Sequence, residues 1–408
     1  MTGQLAIHGG TPVRTRPFPS WPVFGPEEEQ ALARALRSGK WGKQDGTEVA
    51  TFERDFAKYQ GAAHGIAVVN GTVSLQIALM AAGIRAGDEV IVPPYTFLAT
   101  ATAVITANAT PVFVDIDPET LNISPKAIEA AITPRTRAII PVHFGGLPAD
   151  MDAIMAIAKR HNLIVIEDAA HAHGAEYKGR RTGSIGHFGS FSFQSSKNLT
   201  SGEGGFITTN DPELAARCRS IHNCGRRPGH AWYEHFVIAG NFRLSEFQGA
   251  VLNAQLQRLD EQTRRRDENG RYLTEKLGRI PGIKPQKITA DCTRHAFHLF
   301  CFRVDAKELG APRSAFLKAL AAEGIPNFGG YPQPLYRQPL FLNREFGPYA
   351  GCQGVDYAKT SCPHCEAICY ELGGWLEQRI LLGTREDMED IVRAFTKVYE
   401  NRKDLKEA

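Results

Sequence analysis

Asp168 and Lys197 are the residues of this sequence whose types and setting could carry chemistry. Asp168, preceded by Glu167, stands at the carboxyl end of the apolar β-branched run Ile164-Val165-Ile166, which reads as a buried strand. A second short strand over 188–193 delivers Ser192, and then Lys197, into a loop rich in Gly, Ser and Thr. A carboxylate at a strand tip and an amine on a neighbouring loop lie where ligands bind in open α/β sheets. A lysine so placed can form a Schiff base with a carbonyl. Each residue also has a plain reading, a turn-forming Asp and a solvated Lys, so the pair needs support from the rest of the chain.

The elements that must position them follow from hydrophobic periodicity. A strand over 65–69 turns through Asn70-Gly71-Thr72 into a helix with Leu75, Ala78, Leu79 and Ala82 on one face. The free N–H groups of that turn suit a phosphate, although the tripeptide taken alone reads first as an ordinary N-cap. Strands over 89–92, 111–115, 138–142 and 206–209 alternate with helices from about 99, over 125–131, 151–161 and 212–220. That alternation predicts a mainly parallel, helix-covered sheet. A long amphipathic helix over 247–268 carries Arg264-Arg265-Arg266, read as a solvated face. Past Gly270 the elements become shorter and mixed: a strand near 298–304, then helices over 313–323 and 386–399. The reading divides the chain into an arm (1–25), a large domain (26–270) and a small α+β domain (271–408), with the boundary near 265–280.

Length and composition agree with this. A chain of 408 residues is too long for one ordinary core, and 43% hydrophobic with 22% charged residues is a soluble globular balance. A net charge of +3, from 47 basic and 44 acidic side chains, gives no electrostatic case for nucleic acid or an anionic membrane as partner. The start MTGQLAIHGGTPVRTRPFP lacks the apolar core of a signal peptide, and 97–114 is too polar for a membrane span, so a cytoplasmic location is expected. CPHC at 362–365, with Cys369, invites a redox or zinc reading. With only Cys352 or His364 available as a fourth ligand and no second CxxC, structural thiols and no metal are expected. Asp115 and Asp117, ahead of Pro118, read as capping carboxylates in a turn.

Together these are the parts a pyridoxal phosphate (PLP) enzyme needs. A carboxylate must keep the pyridine nitrogen protonated, and Asp168 fits. The aldehyde needs a lysine, Lys197, which also serves as base once substrate displaces it. Gly71, Thr72 and Ser192 can hold the phosphate, and Phe97 can cover the ring.

The segments NGTVSL (70–75), PPYTFLAT (93–100), EDAAHAHGA (167–175), SFSFQSSKNLTSGEGG (190–205) and NFRLSEFQGAVL (241–252) resemble the DegT/StrS family of PLP-dependent sugar and cyclitol aminotransferases. The resemblance runs from about Trp21 to the C-terminus. It implies an α/β fold of type I, aspartate aminotransferase-like, with a mainly parallel seven-stranded sheet, and a homodimer with shared active sites. It makes Lys197 the internal aldimine, with pyridoxamine phosphate (PMP) as intermediate, Asp168 the ring-nitrogen partner and Phe97 the ring cover. His171, where many relatives have Gln, would hydrogen-bond the ring hydroxyl, and Asn241 would reach the phosphate of the neighbouring subunit. Members that dehydrate or deoxygenate sugars replace the lysine with His, so Lys197 implies amino transfer.

Within the family, HAHGA, SFQ, HNCGR and RLDEQ resemble the scyllo-inosose and 2-deoxy-scyllo-inosose aminotransferases and 3-amino-5-hydroxybenzoate synthase. The implied reaction moves an amino group from glutamine or glutamate to a keto-cyclitol or keto-sugar by a ping-pong mechanism, in aminoglycoside- or aminosugar-type biosynthesis. Two alternatives stay open: a nucleotide-linked keto-sugar aminotransferase using glutamate, and an aromatising enzyme like the benzoate synthase. A non-enzymatic PLP-binding regulator has no appended helix-turn-helix or basic stripe to support it. Gln194, Arg226, Tyr331 and Tyr336 are the expected substrate contacts.

Overall fold

Strands buried at nearly every position belong to a sheet covered on both faces, and seven such strands form the central sheet. In the computed structural model, which describes residues 3–349 and 354–405, they are β1 (His64–Val68), β2 (Glu89–Val92), β3 (Thr110–Phe113), β4 (Thr136–Ile139), β5 (Ile164–Asp168), β6 (Phe188–Ser192) and β7 (Gly205–Thr209). Their spatial order is β1-β7-β6-β5-β4-β2-β3. Only β7 runs antiparallel to its neighbours; the other pairings are parallel. This is the expected mainly parallel, type I fold.

Alternation along each strand assigns the two faces. Val90, Val92, Ile166 and Phe188 join a core with the helices Gly71–Ala81, Ala99–Thr106 and Pro212–His222. Ile91, Ile139 and Val165 point the other way, onto the helix Met151–His161. Under β1, β6 and β7 that second face is closed by Phe52 and Phe56 of the helix Glu48–Tyr59 and by Leu252 and Leu259.

Leu252 and Leu259 belong to the helix Glu246–Leu277, which starts at a capping box between Ser245 and Gln248. It does not end near Gly270. A Cβ at that position would lie 2.5 Å from the Phe297 ring, so Gly270 lets the helix pack closely on that ring rather than stopping the helix. The last turns, with Leu273 and Leu277, enter a second core with Phe300, Phe302, Leu376 and Phe395. The helix therefore runs through the region expected to hold a domain boundary. Arg266 is likewise not on a solvated face: it is 0% exposed, donates to Gln378 Oε1 at 3.0 and 2.6 Å, and lies over the Trp21 ring.

The second core is built on an antiparallel sheet of Ile283–Pro285, Leu299–Val304 and Gly373–Glu377, with the helices Arg313–Ala322 and Arg385–Glu400. The N-terminal arm docks there. Leu5 and Phe18 are buried in it, and Arg14 pairs with Asp387 and Asp390 at 2.8 and 2.7 Å. The cysteines Cys362, Cys365 and Cys369 are buried in the first core, where burial pushes the Cys362 thiol up to about 12. Asp115 accepts the N–H groups of His364 and Cys365, holding the start of the short helix Pro363–Ala367, while Asp117 caps Glu119 and Thr120. Among the described residues no His, Cys, Asp and Glu side chains cluster as a metal site; Cys352 lies outside them. No described helix is long and apolar enough to cross a membrane.

Candidate active site

Strand β5 ends in two buried carboxylates that face opposite sides of the sheet, as successive strand residues must. Glu167 accepts N–H groups from Gly183, Ile185 and Gly186 at 2.7, 2.7 and 2.6 Å. It also meets His143 Nε2 at 2.9 Å. His143 Nδ1 accepts from Ala149 N–H, so the proton is on Nε2 and donates to Glu167. These bonds satisfy a charge that would otherwise be costly to bury, and they tie the 183–186 turn to the strand.

Asp168 points to the other face. Its Oδ2 accepts from Thr100 Oγ1 at 2.8 Å, and Thr96 supplies a hydroxyl to Thr100 at 3.0 Å. Its Oδ1 accepts the Ala170 N–H at 3.3 Å. Burial raises the carboxyl above its ordinary range, opposed by the Thr100 bond, the Ala170 N–H and the Lys197 charge. A cation placed beside this carboxylate gains a strong partner.

Lys197 arrives on a loop closed on itself: Thr200 Oγ1 donates to Phe193 O, Ser196 N–H to Gln194 Oε1, and Lys197 N–H to Gln194 O. Trp21 of the N-terminal arm donates its indole N–H to Ser195 O at 2.9 Å. Burial lowers the Lys197 amine to about 8, against the pull of Asp168. An amine so lowered is about one-tenth neutral at pH 7, far more than an ordinary lysine, and can act as nucleophile and base. His171 Nδ1 accepts the Gly145 N–H at 3.4 Å, which leaves the proton on Nε2, and burial keeps the ring neutral.

At the amino end of the Gly71–Ala81 helix, Asn70 caps Val73 N–H, and Gly71 and Thr72 hold first-turn N–H groups with no helical acceptor. A Cβ at Gly71 would meet Ser192 Cβ at 2.7 Å, so glycine brings the helix start against the end of β6. The result is a small cradle of N–H and hydroxyl groups, suited to an anion.

One cavity of about 610 Å³ joins these parts. Asp168, Lys197 and His171 line it with the Gly71, Thr72 and Ser192 cradle, and so do Phe97, Gln194 and Tyr331, as expected from the sequence. Phe97 is 61% exposed in the single chain. Three expected residues lie elsewhere. Tyr336 is 0% exposed, its hydroxyl bonded to Glu366 at 2.6 Å and to the Cys362 N–H, so it is a core residue and not a contact of this cavity. Arg226 bonds Trp232 O and stacks on that ring within its own loop. Asn241 is exposed and outside the cavity. The cavity adds residues that sequence reasoning did not single out: Thr100, Glu203, His298 and Trp375. Thr100 lies in the quoted PPYTFLAT segment, where a hydroxyl facing a strand-end carboxylate was the available signal.

The geometry has counterparts. Residues 23–392 match the DegT/DnrJ/EryC1/StrS aminotransferase family model. The L-glutamine:2-deoxy-scyllo-inosose aminotransferase of Streptoalloteichus tenebrarius is 41% identical, over 100% of both chains. The crystal structure of 3-amino-5-hydroxybenzoic acid synthase superposes with a TM-score of 0.87 at 37% identity, covering 95% of this chain and all of that one. NtdA from Bacillus subtilis with bound cofactor PMP gives 0.80 at 27%, covering 92% of this chain and 81% of that one.

Proposed function

The chain belongs to the DegT/DnrJ/EryC1/StrS aminotransferase family and is a PLP-dependent transaminase, and from that premise we propose that it moves an amino group from L-glutamine to a keto-cyclitol of the 2-deoxy-scyllo-inosose type. The observation that carries the reading is the convergence of Asp168, Lys197 and the Gly71–Ser192 cradle on one cavity.

The residues present fit the cofactor. The close approach of Gly71 to Ser192 and the free N–H groups of the first helical turn suit a phosphate, with Thr72 and Ser192 supplying hydroxyls. Asp168, its Oδ1 and Oδ2 held by Ala170 and Thr100, would keep a proton on the ring nitrogen. His171 would present Nε2–H to the ring hydroxyl, Phe97 would cover the ring, and Lys197 Nζ would be the amine that holds the aldehyde. When bound, PLP supplies an electron sink for the carbon that gives up its proton. Lys197 Nζ, with its amine lowered to about 8, takes the α-carbon proton of the donor and returns a proton in the second half of a ping-pong cycle.

The acceptor class follows from charge. Lys197 is the only Lys or Arg among the described residues lining the cavity, whereas Glu203, His298 and Tyr331 offer hydrogen-bond acceptors. A nucleotide diphosphate wants arginines or further lysines, and an uncharged polyol wants acceptors for its hydroxyls. The name of the 41%-identical relative supports the same substrate pair. Exposed Trp232, Tyr233 and Ile238, near Asn241 in the chain, suit a homodimer interface that carries Asn241 to the partner's cavity, while Arg226 stays on Trp232 within its own loop.

The test is turnover of the purified PLP-loaded protein with glutamine and either 2-deoxy-scyllo-inosose or a nucleotide-linked 4-keto-sugar. An aminocyclitol product supports the proposal. Amination of the nucleotide sugar alone contradicts it.

A further inference from the structure

His298 stands in the cavity wall with its ring centroid 4.2 Å from that of His171 and only 6% of its surface exposed. Its hydrogen bonds fix which nitrogen carries the proton. Asn198, the residue after Lys197, donates through Nδ2 to Ala296 O at 2.8 Å, so its Oδ1 is an acceptor. His298 Nδ1 lies 3.1 Å from that Oδ1 and must donate to it. A neutral imidazole with Nδ1–H keeps a bare lone pair on Nε2. Among the described residues that nitrogen has no protein partner, and it is not sealed from the cavity as the unpartnered buried nitrogens of His173 and His295 are. Burial, the neighbouring His171 ring and the Lys197 charge all oppose protonation of the ring.

We infer that His298 Nε2 is a specificity-determining acceptor that takes a hydrogen bond from a ring hydroxyl of the ketone substrate. The inference rests on the proposed amino transfer to a keto-cyclitol. A nitrogen lone pair held in this orientation attracts an O–H and repels a carboxylate or phosphoryl oxygen, which has only lone pairs to offer. The Asn198 bond keeps the imidazole from turning over to present an N–H instead. Because Asn198 follows Lys197 directly, one short segment sets both the amine and the tautomer of the histidine. The same hydrogen bond would not be used by glutamine's α-carboxylate, so the residue acts on one half of the ping-pong cycle.

The test compares the two half-reactions in His298→Phe and His298→Gln. Wild type is first loaded with PLP and discharged by glutamine; if glutamine does not discharge it, the proposed function fails and this inference fails with it. With that step intact, His298→Phe should keep the cofactor absorbance band and a glutamine half-reaction within about 2-fold of wild type. Its KM for 2-deoxy-scyllo-inosose should rise about 10- to 100-fold, the range for one lost hydrogen bond in a shielded site. His298→Gln, with an amide oxygen near the place of Nε2, should recover most of that loss. An unchanged ketone KM in His298→Phe overturns the inference. So does a parallel fall in both half-reactions with a shifted cofactor band, which would mark His298 as a support for His171 only.

Discussion

Replacing Gly71 with Ala puts a methyl group in place of a hydrogen at a point where the structure has no room. The new Cβ would lie 2.7 Å from Ser192 Cβ and 3.2 Å from its Cα and Oγ. Carbon atoms rest at about 3.5–4.0 Å, so one side must move by about 1 Å. The helix cannot retreat easily, because Leu75, Ile77, Ala78 and Leu79 are packed in the core and Ser74 Oγ is held 2.5 Å from Ser190 Oγ. The gap between Gly71 and Ser192 opens instead, and both are walls of the phosphate cradle. A hydrogen bond of about 2.9 Å stretched by about 1 Å is lost. One charge-assisted bond is worth about 1.5–3 kcal/mol, so PLP affinity should fall about 10- to 150-fold. The assay is titration of apoprotein with PLP, read at the cofactor's absorbance band, with circular dichroism to show that the variant folds. A folded Gly71→Ala protein that binds PLP as tightly as wild type would refute the placement of the phosphate.

Three further outcomes are expected. The Lys197 amine is lowered to about 8 from its ordinary 10.5, so the folded chain releases that proton before the unfolded chain does. The cost of burying the charge is present below pH about 8 and fades towards 10.5; apoprotein should gain stability across that window, and its initial rate of PLP capture should rise through pH about 8, whereas a midpoint near 10.5 would contradict the burial of the amine. Glu167→Gln sets an NH₂ group against backbone N–H donors and removes a charge bonded four times, so a loss of about 3 kcal/mol or more is expected in denaturant unfolding, and a loss under about 1 kcal/mol would contradict the network. Tyr336→Phe should leave both substrate KM values within about 2-fold while costing about 1–3 kcal/mol of stability, because it unpairs a buried Cys362 N–H and a Glu366 contact; a KM change of about 10-fold would return Tyr336 to the substrate site.

The central sheet was legible because its strands are short apolar runs bounded by turn residues, and because Asp168 and Lys197 sit at recognisable ends of such runs. What sequence spacing misplaced was decided by contacts distant along the chain. Tyr336 stands five positions after Tyr331, yet the 3-10 turn Leu335–Arg337 carries it into the core while Tyr331 stays at the cavity. Arg266 belongs to a basic triplet that looks solvated, and it is buried because Trp21 and Gln378 close over it from the arm and the second sheet. Gly270 has the composition of a helix end, but the Phe297 ring facing it makes it a close-packing position. Thr100 and His298 carry no motif of their own; their roles rest on bonds to Asp168 and Asn198 that only the folded chain brings together.

The central claim is that Lys197 holds the cofactor in this cavity. The most direct measurement is borohydride reduction of the PLP-loaded protein followed by proteolysis and peptide mass analysis. A reduced phosphopyridoxyl group on the peptide containing Lys197, lost in Lys197→Ala and lost when glutamine is added before the reductant, is the predicted result. A group trapped on another lysine, or no group trapped while the protein still transfers amino groups, would contradict it.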